Sequence, residues 1–451
     1  MVLAWIERHP LRAAFVAAAI VHGSALLAVG ARQGALDAYA FNSPDCREYH
    51  ELAQSLHRTG TMTRDGQPEI WRTPGYPGFL AAAMLLVGSA PAGLILVQQI
   101  LGVINTVLLV RVACMAANPR RALVAGAIFL FEPYRLYYGF WLLSETLFTT
   151  CLLLMWMLWT RAQRRQAALD FLWLGLLAGG TILVRPLAVL VPAALALATA
   201  GLGRRAPRAA LKNTAVLLAG ACLPPAAWML RNLLVAGHFA LSSQSGVVLA
   251  YFKAAEVELW REHRTADRYV ETSLDPERAG APHTVWERID ARLRDELSVT
   301  AAVPGGHLRW TDLAQGRHPP GKGFETSAAL RRVGLRMVCE SPLATLGFCV
   351  ARAGELLTMP LNLALVRYTG IPPGNWRHAA LGVAYTLLVL FAAARLFRGA
   401  CGAGAVFPLA VLIALLAATT PQLDPRLRVP LIPLLALLAV WPRARNVDAQ
   451  F

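Results

Sequence analysis

Ser43-Pro44-Asp45-Cys46-Arg47-Glu48-Tyr49-His50 and Trp71-Arg72-Thr73-Pro74-Gly75-Tyr76-Pro77-Gly78-Phe79 bracket the first long polar stretch of the chain. Before it lies an apolar run, Leu11 to Gly30, long enough to cross a bilayer and preceded by Arg8 and Arg12. The loop that follows has no small-residue cleavage signal, so the run reads as a retained span with its N-terminus in the cytoplasm. Asp45 and Arg72 then belong to a first outer loop, residues 31–91. After it, Tyr76 to Gly88 is too short to cross and ends at Ser89-Ala90-Pro91, which suits a helix lying in the outer interface.

The rest of the chain fits this start. Of 451 residues, 56% are apolar and only 16% charged, and several apolar runs exceed the roughly 18 residues that argue for a spanning helix. The formal charge of +16 would suit a nucleic-acid partner if it were spread over one face. Instead the arginines and lysines fall in short clusters between apolar runs, the pattern of cytoplasmic loops beside a lipid bilayer, and a nucleic-acid partner is excluded. The clusters are Arg111 with Arg120 and Arg121; Arg161, Arg164 and Arg165; Arg204, Arg205, Arg208 and Lys212; Arg395 and Arg398; and Arg443 and Arg445. Spans at 92–115, 122–140, 142–160, 168–184, 186–201, 212–230, 378–397, 402–419 and 428–442 put all five inside. With the first span this predicts about ten crossings and two cytoplasmic termini. Seven cysteines are scattered without a C-x-x-C pair, so neither a disulfide framework nor a thiolate metal site is indicated.

The same threading gathers the remaining polar features on the opposite side. Asp45, Arg72, Glu145, Arg185, Arg231 and the Asp424-Pro425-Arg426 turn all fall at or near outer ends of helices. Unpaired charges in a membrane cost several kcal/mol each, so one polar pocket at the outer face is the economical reading. Three regions follow: a transmembrane module over 1–231, a charged insert over 232–341 on the outer side, and a closing segment over 342–451. The insert carries a helical pattern at Ala254 to Trp260 and turn signals at Pro304-Gly305-Gly306 and Pro319-Pro320-Gly321. Pro342 to Val366, interrupted by Arg352, Glu355 and Pro360, suits an amphipathic helix at the interface.

An acid just outside the first span followed by an R-T-P-G-Y-P turn resembles the first outer loop of the GT-C glycosyltransferases, closest to the branch of protein O-mannosyltransferases and aminoarabinose lipid A transferases. Asp45, Tyr49, Ala53 and Leu56 match the spacing of that loop, and Leu142-Leu143-Ser144-Glu145-Thr146 resembles the second acidic motif. Arg185-Pro186 and Trp228-Met229-Leu230-Arg231-Asn232 also match short patterns. Asp424-Pro425-Arg426-Leu427-Arg428-Val429-Pro430-Leu431-Ile432-Pro433 is similar to an R-Y-R-x-P-x-x-P entry to the last helix, with Leu427 where Tyr is common. That departure weakens a direct substrate role for the turn and leaves it as a fold marker.

The resemblance implies an all-α polytopic membrane protein, a GT-C-type transmembrane helix bundle with outer-face interfacial helices and a periplasmic insert. It implies an inverting transfer of sugar from a polyprenyl-phosphate-linked donor to an acceptor hydroxyl of lipid, glycan or protein, at the outer face of a bacterial cytoplasmic membrane. Such chemistry needs a base near the acceptor and cations near the departing phosphate. By the resemblance Asp45 is the base, and Arg47, Tyr49, Arg72, Tyr76, Arg185 and Arg231 surround the substrate. Planar guanidinium forks suit phosphate.

Glu145 would orient the acceptor, pair with a site arginine, or help Asp45 hold a divalent metal. No E-x-x-H or H-x-x-H spacing surrounds His50, so no metal ligand is assigned. Simpler readings stand beside these: Asp45 as a helix N-cap, Tyr76 and Trp71 as headgroup-level aromatics, Glu145 as a helix N-terminal carboxylate, Glu132 as a partner of Arg135, and Arg185 and Arg231 reaching to lipid phosphates. A lipid-linked-sugar flippase would share the apolar runs but place charges at mid-membrane and show inverted repeats. A ligase or polymerase using lipid diphosphates would share the arginines.

Overall fold

Proline opens and glycine closes several of the helices, the asymmetry that missing N–H groups and left-handed backbone impose. The computed structural model describes residues 2–263, 284–298, 323–358, 376–397, 405–420 and 425–440, apart from 34–35, 65, 116 and 204–205. A short N-terminal helix α1 (Val2–Arg8) leads into α2 (Pro10–Gln33). The first polar loop then folds as α3 (Asp37–Ala40), α4 (Pro44–Thr59), a two-rung ribbon of β1 (Thr63–Arg64) and β2 (Gln67–Pro68), and α5 (Gly75–Val87). Helix α4 starts on Pro44 and stops at Gly60, whose φ of 68° suits a residue without Cβ.

Next come α6 (Pro91–Cys114), α7 (Pro119–Leu130), α8 (Pro133–Tyr138), α9 (Glu145–Arg165), α10 (Ala168–Val184), a tight turn over Pro186–Leu190, α11 (Val191–Leu202) and α12 (Pro207–Ala236). Residues after Gly237 build the insert: α13 (Gln244–Val247), a wide turn over Val248–Ala254, α14 (Ala255–His263), α15 (Thr284–Ser298) and α16 (Gly323–Glu340). The chain closes with α17 (Pro342–Thr358), α18 (Trp376–Phe397), α19 (Val406–Thr419), the turn Pro425–Arg428 and α20 (Ile432–Val440). The fold is all-α apart from the ribbon.

Two features of the expected threading change. The span expected at 122–140 is broken: α7 ends at Leu130, and α8 restarts at Pro133 with Glu132 as its cap, accepting the Arg135 backbone N–H at 2.5 Å. Proline lacks the N–H that would continue α7, so the apolar run cannot form one helix. Among the described residues only α2 (over Pro10–Ala31), α6 and α12 are long and apolar enough to cross alone, or four spans if α16 and α17, bent by 96°, count as one. The remaining apolar helices, such as Ala168–Val184 and Val406–Thr419, are shorter. Hydropathy counts apolar runs, whereas a proline break, as at Pro133 and Pro186, cuts a run into pieces below the roughly 20 residues a crossing needs. Helix α12 also runs past Asn232, ending at Ala236. The two proline-glycine turns of the insert, Asp424, Pro360 to Val366, and the basic residues Arg204, Arg205, Arg398, Arg443 and Arg445 lie outside the described residues.

Small residues let the bundle close. Gly175 and Gly179 on α10 lie against the backbone of α12 at Leu217 and Ala221, and Gly220 returns the contact on Leu172. This is the small-residue approach by which helices associate in lipid. Gly75 does the same for the site: a Cβ there would stand 2.5 Å from the Val184 nitrogen and 2.6 Å from the Leu183 carbonyl carbon. The Thr73-Pro74-Gly75 turn thus seats the start of α5 on the end of α10, beside Arg185. Gly75→Ala is expected to lower stability by about 1–3 kcal/mol through overpacking. Gly78→Ala, whose added carbon meets nothing within 4 Å, should leave the melting temperature in detergent unchanged.

The insert has its own core of Val247, Ala250, Val257, Ile289, Leu330 and Phe348, and Trp71 from the first loop is part of it. Ser242 Oγ donates to the Trp71 carbonyl at 2.5 Å, and the Ser243 N–H donates to Ile70 at 2.9 Å. Trp71 is therefore a peg into the insert and not a headgroup aromatic.

Candidate active site

Asp45 lies in the first turn of α4 but does not cap it; Ser43 holds the cap position and makes no side-chain cap bond. The Asp45 carboxylate is instead shared between two guanidinium groups. Arg72 Nη2 donates to Oδ1 at 2.6 Å, and Arg426 Nη1 donates to Oδ2 at 3.0 Å. Glu69 fixes the backbone that delivers Arg72: its carboxylate accepts the N–H of Trp71 and, at 2.9 Å, that of Arg72. With Trp71 anchored in the insert, Arg72 is directed onto α4. There its Nε also donates to Glu48 Oε2 at 2.7 Å, and its guanidinium covers the Tyr49 ring at 5.1 Å. Arg64 on the ribbon approaches Glu48 at 3.4 Å and Glu69 at 3.7 Å.

The electrostatics follow from this bracket. Burial pushes the Asp45 carboxyl up, but Arg72 and Arg426 outweigh it and hold the group well below the usual carboxylate range. Burial works against the Arg72 charge too, and Asp45, Tyr49 and Glu48 more than restore it. Neighbouring Cys46 is pushed up to about 12, first by burial and then by the Asp45 charge, so it is no nucleophile.

A second ion pair stands next to the first. Glu145 begins α9 and Arg185 ends α10, and Arg185 Nη1 meets Glu145 Oε1 at 2.6 Å with the carboxylate side chain only 4% exposed. Glu145 Oε2 is buried without a hydrogen-bond partner. The charges of Arg72, Asp45, Arg185 and Glu145 all act on the Tyr49 hydroxyl, so Tyr49 lies within electrostatic reach of both pairs. Removing one member leaves the other charge buried, so Arg185→Met should cost about 3 kcal/mol. Glu145→Leu combined with Arg185→Met should recover most of that loss in detergent thermal unfolding; an additive double variant would contradict the pairing.

The other residues expected at the site divide into two groups. Tyr76 is fully buried, stands edge-on to Tyr49 with centroids 4.9 Å apart, and gives its hydroxyl to Gln98 at 2.7 Å. It backs the pocket and is not a headgroup aromatic. Arg47 is exposed and lies over Phe41 at 6.0 Å, turned from the Asp45 bracket. Arg231 holds the first loop in place by donating to the carbonyls of Met62, at 3.1 Å, and Glu69, and to Asn232 Oδ1 at 3.0 Å. Glu132 meets the Arg135 backbone and Tyr385, not the Arg135 guanidinium, which goes to His22 at 3.0 Å and to the carbonyls of Phe129 and Leu130.

Glu48 joins the site without having been singled out from the sequence, while Arg426 was expected near it through the Asp424-Pro425-Arg426 turn, as a fold marker and not as a partner of Asp45. Glu48 could have been found, since it follows Asp45 by three on one face of a helix. Arg426 lies 381 positions from Asp45, and nothing local links them.

A divalent ion does not suit this donor set. Both Asp45 oxygens already accept from guanidinium groups, His50 Nε2 is bonded to the Ser89 carbonyl at 2.9 Å, and no group of three or more His, Cys, Asp or Glu that could hold a metal occurs among the described residues.

All these groups share one end of the bundle. Helix α9 starts at Glu145 and finishes with Arg164 and Arg165, while α10 returns from Asp170, paired with Arg161 at 2.8 Å, to Arg185. Arg8, Arg12 and Arg111 line a common cavity of about 490 Å³ at the far end of α2 and α6. The site and the basic clusters thus occupy opposite ends.

Residues 71–228 match the family model of dolichyl-phosphate-mannose-protein mannosyltransferases. Among solved structures, ArnT from Cupriavidus metallidurans bound to undecaprenyl phosphate aligns at 15% identity and a TM-score of 0.40, over 96% of this chain and 77% of that one. The archaeal oligosaccharyltransferase AglB from Archaeoglobus fulgidus, in complex with an inhibitory peptide and a dolichol-phosphate, aligns at 13% identity and 0.43, over 97% of this chain and 50% of that one. At such scores neither carries the assignment, and no curated protein matches the sequence. The family match covers about a third of the chain, and the matched stretch holds Arg72, Tyr76, Glu145 and Arg185. The chain is an all-α membrane protein whose residues 71–228 are similar to the dolichyl-phosphate-mannose-protein mannosyltransferases.

Proposed function

We propose that the protein transfers a sugar from a polyprenyl-phosphate donor to an acceptor hydroxyl, with inversion, at the outer face of a bacterial cytoplasmic membrane. The observation that carries this reading is the Asp45 carboxylate held between Arg72 and Arg426. It puts a base and two phosphate-matching cations within a few ångströms of each other. In the transfer step Asp45 takes the proton of the acceptor hydroxyl, whose oxygen attacks the anomeric carbon from the side opposite the phosphate. The carbon–oxygen bond to phosphate breaks, and its electron pair leaves on the phosphate oxygen. Polyprenyl phosphate departs as an anion received by arginine, so no acid is needed on the leaving side.

A groove supports the lipid part of the reading. Between α7, α18 and α20 it encloses about 550 Å³, lined by Val124, Ile128, Phe131, Leu388, Phe391 and Ile432. Tyr385 lies on the same groove, and Arg428, two residues from Arg426, stacks on Tyr385 at 4.3 Å. A chain of isoprene units in this groove would bring its phosphate toward the arginines. The outer-face assignment is supported by the basic clusters at the opposite end of the bundle, which the positive-inside rule puts in the cytoplasm. The acceptor is a lipid, a glycan or a protein. The insert lies beside the site through Trp71, where it would contact the acceptor.

Lipid and glycan profiling of a deletion strain tests the reading. One glycosylated product should disappear while one polyprenyl-phosphate sugar accumulates, and the wild-type gene should restore both. An unchanged profile would reject the function.

A further inference from the structure

Arg426 stands where the entry to the last helix meets the first loop. Its turn, Pro425–Arg428, is pinned by Arg428, which is fully buried, donates Nε–H to the Leu356 carbonyl at 2.5 Å and packs between the rings of Tyr385 and Tyr134. Leu427 is buried as well, and the Leu431 N–H closes on the Arg428 carbonyl at 2.8 Å. The anchor leaves Arg426 as an arm reaching over α4.

The two guanidinium groups on Asp45 are unequal. Arg72 is sheltered, its side chain 9% exposed, and is held by two carboxylates and a ring. The side chains of Arg426 and Asp45 are 23% and 30% exposed, so the bracket opens to solvent on the Arg426 side. A phosphate presents the same fork-matching oxygens as a carboxylate; the donor phosphodiester matches the single charge of Asp45, and the departing monoester carries more.

We propose that Arg426 is a further donor-phosphate residue, and that Asp45 and the lipid phosphate compete for the Arg72 and Arg426 guanidinium groups, so that Asp45 is released as a base only when phosphate arrives. This rests on the function proposed above. It resolves a conflict within the site, because a carboxylate clasped by two arginines is held well below the usual range and accepts protons poorly. Phosphate occupancy removes the clasp, restores the basicity, and ties proton abstraction to the presence of a leaving group.

The test is equilibrium binding of a polyprenyl monophosphate to the full-length protein in detergent, with the matching polyprenol as the ligand without phosphate. Asp45→Asn should bind the monophosphate about tenfold tighter than wild type, because the competitor is gone. Arg426→Gln should bind it about tenfold more weakly, with Arg426→Lys recovering part of the loss. In the Arg426→Gln background the gain from Asp45→Asn should shrink to about threefold or less, since one contested cation is missing. Polyprenol affinity should not change in any variant, which separates the effect from misfolding. A merely structural Asp45 would give unchanged or weaker monophosphate binding in Asp45→Asn; that result overturns the competition and leaves the function standing. A wild-type protein that binds monophosphate no better than polyprenol overturns both.

Discussion

Asp45→Asn is expected to cut sugar transfer by about 10³-fold, the order a positioned general base contributes. Asparagine keeps the shape and can still accept one hydrogen bond, but it cannot take the acceptor proton. The loss should come without unfolding. Asp45 is at the rim of the bracket, 30% exposed, so water replaces part of what Arg426 and Arg72 lose, and the stability cost should be about 1 kcal/mol or less. Complementation of a deletion strain, with product followed by mass spectrometry and the protein checked by size-exclusion chromatography, reads both quantities. A well-folded variant with more than a tenth of wild-type transfer would remove Asp45 from the role of base.

Arg72→Ala should be the most damaging single change, because it acts on fold and chemistry together. It leaves Glu48 to Arg64 alone at 3.4 Å, deprives Asp45 of its closer partner and removes the cation over Tyr49. Losing one partner of a largely buried pair costs about 3 kcal/mol, and losing a preorganised cation at the departing charge costs about 10² in rate. Arg72→Lys separates the two losses. A lysine restores one charge but not the planar fork that serves Asp45 and Glu48 at once, so stability should return in part while transfer stays low. Thermal unfolding in detergent beside the complementation assay would show this. Full transfer by Arg72→Lys would mean that the two-carboxylate geometry is irrelevant to function.

How much of this was legible in the sequence depends on distance along the chain. The Asp45–Arg72 pair belongs to a single loop whose turn residues and helix start are local signals, and Glu145 and Arg185 lie at helix ends that hydropathy locates. Their meeting needs only that α9 and α10 run antiparallel and that Gly75 lets α5 touch Val184. Arg426 had only the expected position of its turn, near the outer end of the last helix. The replacement of tyrosine by Leu427 argued against a substrate role for its turn, yet Leu427 is buried and only Arg426 reaches Asp45.

Arg47 lies outside the bracket although it is close to Asp45 in sequence. Two positions from Asp45 on a helix is about 200° around the axis, so adjacency in sequence sends the side chains apart. Arg231 was expected among the substrate-binding residues at the outer ends of helices, and its hydrogen bonds go to first-loop carbonyls. The run at 122–140 was read as one span because apolar composition says nothing of where a proline such as Pro133 stops a helix.

The most direct measurement is an experimental structure of the full-length protein with a polyprenyl monophosphate bound. The expected result is phosphate oxygens on the Arg72 and Arg426 guanidinium groups, Asp45 turned free beside them, and the isoprenoid chain in the groove between α7 and α20. A phosphate found at the opposite end of the bundle, near Arg8, Arg12 and Arg111, with the Asp45 bracket intact, would contradict it.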